Sequence, residues 1–185
     1  MTTALTPGLA KLAADPSTVN SRRLWRAMST DDRRAALTAM LNDKEDGPVA
    51  AAAIRAEIAK ARHFRPQVLA SWDHARLADT GARLDLGEKP IAWEALLALH
   101  LKARTPMLVQ FLDALGIEHK NGEITGEVDA ASLTDERVRD AAQRLIAGFD
   151  ESAVAIYLLA LRASQPAFRA VDGVLLEMAR PQAEA

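Results

Sequence analysis

The sequence predicts an all-α fold, a compact array of helical hairpins, and three observations support this prediction. Apolar residues make up 49% of the 185 residues, and most are Ala and Leu, whose side chains lose little freedom in a helix. Strand-favouring residues do not alternate over useful lengths. Pro66, Pro106 and Pro166 each stand where one apolar stretch ends and the next begins, which is typical of successive helix–turn–helix hairpins.

Capping residues predict where several helices begin. Asp32 follows Ser29, so the serine hydroxyl can accept a hydrogen bond from a free N–H group, and the carboxylate favours the positive end of the helix. Thr134 and Asp150 cap two later helices in the same way. In chain order the predicted helices cover residues 20–28, 29–41, 48–62, 66–77, 91–103, 105–116 and 134–147, followed by one that begins after Asp150 and one that begins at Pro166.

Prolines and a glycine mark other helix boundaries. Pro48, Pro66 and Pro90 each fit the first turn of a helix, where the missing N–H would have had no partner in any case. Pro106 opens the helix that ends at Gly116, since glycine readily adopts the left-handed conformation found just after a helix.

Residues 117–132 interrupt the helical pattern. The segment is polar and mainly acidic, and Asn121-Gly122 is a signal for a type I′ turn, so we predict one small β-hairpin near 117–126. Long connections in compact helical domains are uncommon and tend to be functional or disordered. The segment is therefore either a mobile insertion or a partner-binding loop, and a basic partner would be favoured by its carboxylates: Glu118, Glu123, Glu127 and Asp129.

The domain organisation predicted from the sequence is simple. A length of 185 residues is ordinary for one domain. We expect a single all-α domain over residues 19–180. A flexible N-terminal arm is expected at 1–18, with one short helical turn after Pro7, and a disordered tail at 181–185.

Two predicted helical stretches, 91–101 and 153–161, are apolar on nearly every side. A surface helix shows one apolar stripe and a polar back, so these two helices are predicted to be central. Central helices favour a compact domain over a thin, open superhelix. We therefore predict deep burial for four residues: Leu96, Leu99, Ile156 and Leu159.

Three residue types recur in the same order along the chain. An arginine precedes a proline and an aspartate follows it in three hairpins: Arg62, Pro66 and Asp73; Arg104, Pro106 and Asp113; Arg162, Pro166 and Asp172. In this placement the chain resembles HEAT-type helical repeats. The spacings vary, so the resemblance concerns architecture. It implies helix pairs that stack to share a core, as HEAT-like pairs or as an irregular bundle. The arginines and aspartates either form ion pairs between hairpins or remain solvated.

Several kinds of site are excluded by composition and spacing. Cysteine is absent, which removes disulfides, thiol catalysis and thiolate metal sites. The four histidines lack the helical spacing of paired metal ligands, and no phosphate-binding glycine loop or nucleophile elbow occurs. We therefore expect no metal and no cofactor, and a binding protein rather than an enzyme.

Charge and hydropathy set expectations about partners and location. The net charge of -2 makes a dedicated nucleic-acid binder unlikely, because such proteins usually carry a basic excess. The longest apolar run, residues 153–161, is far shorter than the about 20 residues that span a membrane. No signal peptide is visible near the N-terminus. A soluble, cytoplasmic protein is expected.

Trp93 and His100 lie two helical turns apart, so their rings share one side of a predicted central helix. Together with Tyr157 on the other central helix, they are candidates for a ligand pocket, in which His100 could act as a base or ligand. The alternative is that His100 is a hydrogen-bonded core histidine.

Basic residues gather in two places that could hold a phosphate, a nucleic-acid backbone or an acidic protein surface. The first contains Arg22, Arg23 and Arg26, and the second contains Arg62 and Arg65. The alternative is that these charges simply face water.

Two functions follow from these observations. The first is a protein-interaction or scaffold module, favoured by the repeat-like architecture and by the lack of a catalytic motif. The alternative is a small-ligand-binding protein or enzyme with a pocket near Trp93, His100 and Tyr157. A closed core would favour the first function, and a cavity lined by His100 would favour the second.

Overall fold

The computed structural model describes residues 5–180, and it confirms the all-α fold class. The described chain is 73% helical, with 11 helices and a tiny two-stranded antiparallel sheet. The tail expected at 181–185 lies outside the described residues. The helices are α1 (Pro7–Ala14), α2 (Ser21–Ala27), α3 (Thr30–Leu41), α4 (Gly47–Arg62), α5 (Pro66–Ala70), α6 (His74–Gly81), α7 (Pro90–Ala98), α8 (Thr105–Leu115), α9 (Asp135–Gly148), α10 (Glu151–Ser164) and α11 (Val171–Ala179).

Shorter elements connect these helices. The strands are β1 (His119–Lys120) and β2 (Glu123–Ile124), and a π-helical turn, Leu99–Ala103, continues α7. Three 3₁₀ turns cover Pro16–Thr18, Ala130–Ser132 and Pro166–Ala170. No helix among residues 5–180 is long and apolar enough to cross a membrane.

Side-chain caps and prolines begin most of the helices, as the sequence predicts. The Ser29 hydroxyl accepts from the Asp32 N–H at 3.0 Å, and Asp150 accepts from the Ala153 N–H at 3.0 Å. Gly116 ends α8 with a φ of 65°, a left-handed conformation that suits glycine. Prolines occupy the first turn of five helices: α1, α4, α5, α7 and α8.

The N-terminal segment differs from the flexible arm expected at 1–18. Pro7–Ala14 form a helix that packs against α11, α2 and α10, and Leu9 and Ala13 are fully buried there. The Thr6 hydroxyl also donates to the Ala27 carbonyl at 2.8 Å. Residues 5–18 therefore belong to the helical domain. The apolar face of α1 packs against α11, which lies near the C-terminal end of the described chain.

Helix α10 forms the centre of the domain. Every residue from Ser152 to Leu161 is buried, since α1, α2, α9 and α11 surround this helix. Ile156 and Leu159 are completely buried, and Leu96 and Leu99, near the end of α7 and in the π-helical turn, are each 1% exposed. The predicted core positions are therefore confirmed.

Contact between the first and last helices closes the array. This closure corresponds to the irregular bundle rather than to an open stack of HEAT-like pairs. The proposed Arg–Asp series forms in one place, where Arg162 Nε lies 2.8 Å from Asp172 Oδ1. Arg104 does not pair with Asp113. Its guanidinium lies 2.8 Å from the Asp32 carboxylate, because α3, which contains Asp32, packs against the π-helical turn that precedes Arg104.

The predicted β-hairpin is present and packs against the domain. His119 pairs with Ile124, and Lys120 pairs with Glu123. The turn requires glycine at position 122 for two reasons. Gly122 has a left-handed φ of 86°, and a Cβ there would lie 2.8 Å from the Leu108 Cβ. The hairpin therefore docks tightly on α8.

Candidate functional site

A cavity of about 280 Å³ lies among α7, the π-helical turn, α8, the β-hairpin and α10. Trp93, His100 and Tyr157, the three pocket residues selected from the sequence, all line it. The rest of the wall is mainly apolar, with side chains from three helices and the hairpin: Leu96, Leu97, Leu108, Leu112, Ile124 and Leu161. The cavity thus joins the two helices that were predicted to be central.

Local backbone geometry places His100 in the wall. The residue lies in the π-helical turn Leu99–Ala103, an element that is rare and often found at functional sites. Pro106 has no N–H to donate to the preceding turn. The Thr105 hydroxyl donates to the Leu101 carbonyl at 2.5 Å. The helical ladder is therefore disturbed immediately after His100.

The His100 side chain is buried without a protein partner. It is 5% exposed, and neither Nδ1 nor Nε2 has a hydrogen-bond partner among residues 5–180. Two other buried side-chain nitrogens share this property, Arg33 Nε and Arg104 Nη1, but both guanidinium groups bond through other nitrogens. Since buried polar groups are nearly always hydrogen-bonded, the His100 imidazole is exceptional.

The two titratable rings of the cavity, His100 and Tyr157, are neutral at physiological pH, and burial disfavours the charged form of each. Removal from water, assisted by the positive charge of Arg104, lowers the pKa of His100 to about 3. Removal from water also raises the pKa of the Tyr157 phenol above its usual value. The two rings lie 5.4 Å apart between centroids, at an angle of 56°. A neutral imidazole offers one hydrogen-bond donor and one acceptor.

His119 anchors the hairpin side of the cavity. Its Nδ1 accepts from the Gly122 N–H at 3.2 Å, which assigns the ring proton to Nε2. That Nε2 donates to Asp113 Oδ1 on α8 at 3.1 Å. These two bonds tie the turn to α8 and hold the hairpin residues against the cavity.

Polar groups are also present around the cavity. Glu123 and Ser164 are exposed and Gln165 is partly exposed, and all three line it. The Ser164 hydroxyl donates to the Leu161 carbonyl at 3.0 Å, which orients this group. The arrangement is a mostly apolar space with a few polar groups, as small-molecule sites usually are.

A larger cleft, of about 640 Å³, lies beside the Pro166–Ala170 turn and is chemically less distinctive. Two of its four charged lining residues pair with neighbours: Arg139 with Glu177 at 3.5 Å, and Asp172 with Arg162 at 2.8 Å. None of the buried side-chain nitrogens that lack partners lies in its lining. By volume alone the cleft would be the better candidate for a ligand site. The smaller cavity is favoured because it contains the buried His100 nitrogens that lack partners.

The first group of candidate anion-binding arginines is largely engaged. Arg22 Nη1 lies 2.6 Å from Glu88 Oε1, and Arg26 pairs with Asp85. Arg23 donates to the Thr18 carbonyl at 3.2 Å. The cluster seen in the sequence therefore carries less free positive charge than its arginines alone suggest.

The second group lies beside two aromatic rings. Arg62 lines an open pocket of about 290 Å³ together with Phe64 and Trp72, and Arg65 is exposed nearby in sequence. The Phe64 and Trp72 rings meet edge to face at 5.6 Å, and the Arg76 guanidinium lies 4.1 Å from the Trp72 ring centroid. These aromatic residues and Arg76 could not be identified as a group from the sequence, because they come together across three elements.

The four candidate carboxylates of the partner loop are all exposed: Glu118, Glu123, Glu127 and Asp129. Asp129 Oδ1 accepts from the Ala131 N–H at 2.9 Å, which begins a 3₁₀ turn. Ile117, Ile124 and Val128 of the same segment pack against the core. The segment therefore has a structural role in closing the cavity, besides any contact with a partner.

No protein-family model, curated protein or solved structure matches the chain.

Proposed function

We propose that this protein binds a compact, mostly apolar and uncharged small molecule in the cavity formed by Trp93, His100 and Tyr157. The observation that carries the proposal is the buried His100 imidazole, which lines the cavity and has neither nitrogen bonded to the protein. Leaving a buried polar group without a partner costs about 1–3 kcal/mol. A bound ligand with one polar group would offset that cost.

The dimensions and chemistry of the cavity define the ligand class. A volume of about 280 Å³ holds roughly ten non-hydrogen atoms, if each takes about the 30 Å³ of a water molecule in the liquid. Charged ligands are disfavoured in the buried part of the cavity beside His100, because the neutral imidazole and the leucine walls would not compensate their desolvation. The carboxylate in the lining, Glu123, is exposed rather than buried beside His100. A small aromatic alcohol meets both conditions.

The test uses 4-ethylphenol as a probe and amide NMR spectra as the readout. We expect concentration-dependent shifts for residues around the cavity, including Trp93 and Tyr157. Ala160, on α10, lines the cavity, whereas Ala163 on the same helix is exposed and outside it. Ala160→Phe should fill the space and abolish the shifts, while the matched control Ala163→Phe should retain them. Absence of binding to the unmodified protein at millimolar probe would contradict the proposal.

A protein-interaction or scaffold function is a second proposal, supported by exposed apolar residues that stand beside charged groups. Val49, Phe64, Val68 and Leu97 are each at least 40% exposed. Aromatic, aliphatic and arginine side chains on a surface are typical of protein contacts. Leu97 also lines the cavity, but Val49, Phe64 and Val68 lie outside it, so the two functions are compatible.

A further inference from the structure

Two exposed surfaces of this chain have opposite charge and similar apolar content. The basic face combines residues that line one open pocket, Arg62, Phe64, Trp72, Arg76 and Arg83, with two exposed residues of the segment that follows Arg62, namely Arg65 and Val68. The acidic groove consists of Asp43, Asp46, Val49, Ala53, Glu94 and Leu97, around a space of about 480 Å³. They contain four of the five large apolar residues that are most exposed in the described chain, two on each surface.

The basic face has more cations than carboxylates. Asp79, which lines the same pocket, is shared between Arg34 at 2.8 Å and Arg83 at 3.1 Å, so its charge is already compensated. Phe64 is 40% exposed and Val68 is 47% exposed. Apolar side chains surrounded by arginines suit an apolar surface that is edged with carboxylates.

The acidic groove provides such a surface. Lys102, the cation in its lining, pairs with Asp43, which leaves Asp46 and Glu94 as an excess of negative charge among the lining residues. Val49 is 73% exposed, and the neighbouring Ala53 leaves open space on the same helix. A projecting side chain flanked by arginines would fit there.

The two surfaces lie at opposite ends of helix α4. Val49 is in its first turn, and Phe64 follows its last residue, Arg62. A helix of 16 residues is about 24 Å long, so one molecule cannot bring its own two surfaces together. Because different surfaces would meet, contact between copies would be head-to-tail and would leave a free surface at each end of a dimer.

We propose that the basic face of one molecule docks into the acidic groove of a second copy of this chain. The attraction combines burial of Phe64 and Val68 with ion pairs from Arg62 and Arg65 to carboxylates of the groove. Exposed charges are screened by salt, so association weakens as the salt concentration rises. The proposal does not depend on the small-molecule function, because that function rests on His100 and Tyr157, which line neither surface.

Sedimentation velocity tests the proposal with the full chain, from about 10 µM to about 1 mM, a range suited to weak association. The weight-average mass should rise above the 20.0 kDa of one chain with concentration and fall back in high salt. Val49→Asp blocks the groove, and Arg62→Glu with Arg65→Glu blocks the basic face. Each variant alone should remain monomeric. All three positions are exposed, so folding should be preserved.

Mixing the two blocked variants gives the decisive result. Each retains one intact surface, so an equal mixture should form a dimer, about twice the mass of one chain, and nothing larger. Leu176→Asp and Arg144→Glu, at exposed positions outside both surfaces, are matched controls and should associate as the unmodified protein does. A monomeric unmodified protein at all concentrations, blocked variants that still associate, or a mixture that stays monomeric would overturn the proposal.

Discussion

The imidazole of His100 and the phenol ring of Tyr157 face one cavity, with 5.4 Å between their ring centroids. His100 comes from a π-helical turn and Tyr157 from the most buried helix of the domain. Each ring is neutral at physiological pH, and burial further disfavours its charged form. The pair therefore combines apolar ring faces with the two His100 nitrogens, which have no hydrogen-bond partner among residues 5–180.

Acid should destabilise the protein through His100. Its pKa is 6.5 when exposed and about 3 in the folded protein, so the folded state binds fewer protons and the free energy of unfolding falls as the pH decreases from about 6.5 towards 3. The loss is at most about 1.4 kcal/mol per pH unit. In urea titrations at several pH values, the free energy of unfolding of His100→Leu should fall less steeply with decreasing pH. The control His74→Gln, at an exposed histidine, should show the same pH profile as the unmodified protein. Equal pH profiles for His100→Leu and the unmodified protein would contradict this assignment.

Gly122→Ala should loosen the hairpin. The left-handed φ of 86° and the 2.8 Å approach to Leu108 both oppose a methyl group, so we expect a loss of about 1–3 kcal/mol in the free energy of unfolding. Gly173→Ala is the matched control, since a Cβ there meets nothing within 4 Å inside α11, and it should stabilise by about 0.4–1 kcal/mol. Urea titration measures both, and similar effects at the two glycines would argue against a tightly docked turn.

Leu159→Ala should be severely destabilising. Leu159 is fully buried at the centre of α10, and such truncations cost about 2–5 kcal/mol through lost burial and a residual cavity. Leu176, which is 43% exposed on α11, is the control, and its change to alanine should have an effect within about 0.5 kcal/mol. A loss below about 1 kcal/mol for Leu159→Ala in a denaturant titration would show that α10 is not central.

Local chemistry explains which parts of the fold could be predicted from sequence. Ser29 and Asp150 cap helices through hydrogen bonds to residues three positions away, and Asn121-Gly122 specifies the turn that contains it. These features are local, so they can be predicted without knowledge of contacts to distant parts of the chain. The shared side of Trp93 and His100 likewise follows from helical periodicity. Their meeting with Tyr157 could be suggested because both helices are apolar on nearly all sides.

Features that depend on distant contacts could not be predicted in the same way. Helix α1 was expected to be loosely held because its partner, α11, lies more than 150 residues later. Arg104 bonds to Asp32 rather than to a nearby aspartate for the same reason. The π-helical turn and the docking of the hairpin on Leu108 also depend on packing, which periodicity does not describe.

Calorimetric titration with two matched probes tests the role of His100 most directly. 4-Ethylphenol and 4-ethyltoluene have almost the same shape, but only the phenol can hydrogen-bond to the imidazole. The unmodified protein should prefer the phenol by about three- to tenfold, the value of one net hydrogen bond. His100→Leu should bind both probes equally, with its fold checked by amide NMR spectra. Equal affinities in the unmodified protein, or a preference that persists in His100→Leu, would contradict the proposal that a ligand bonds to His100.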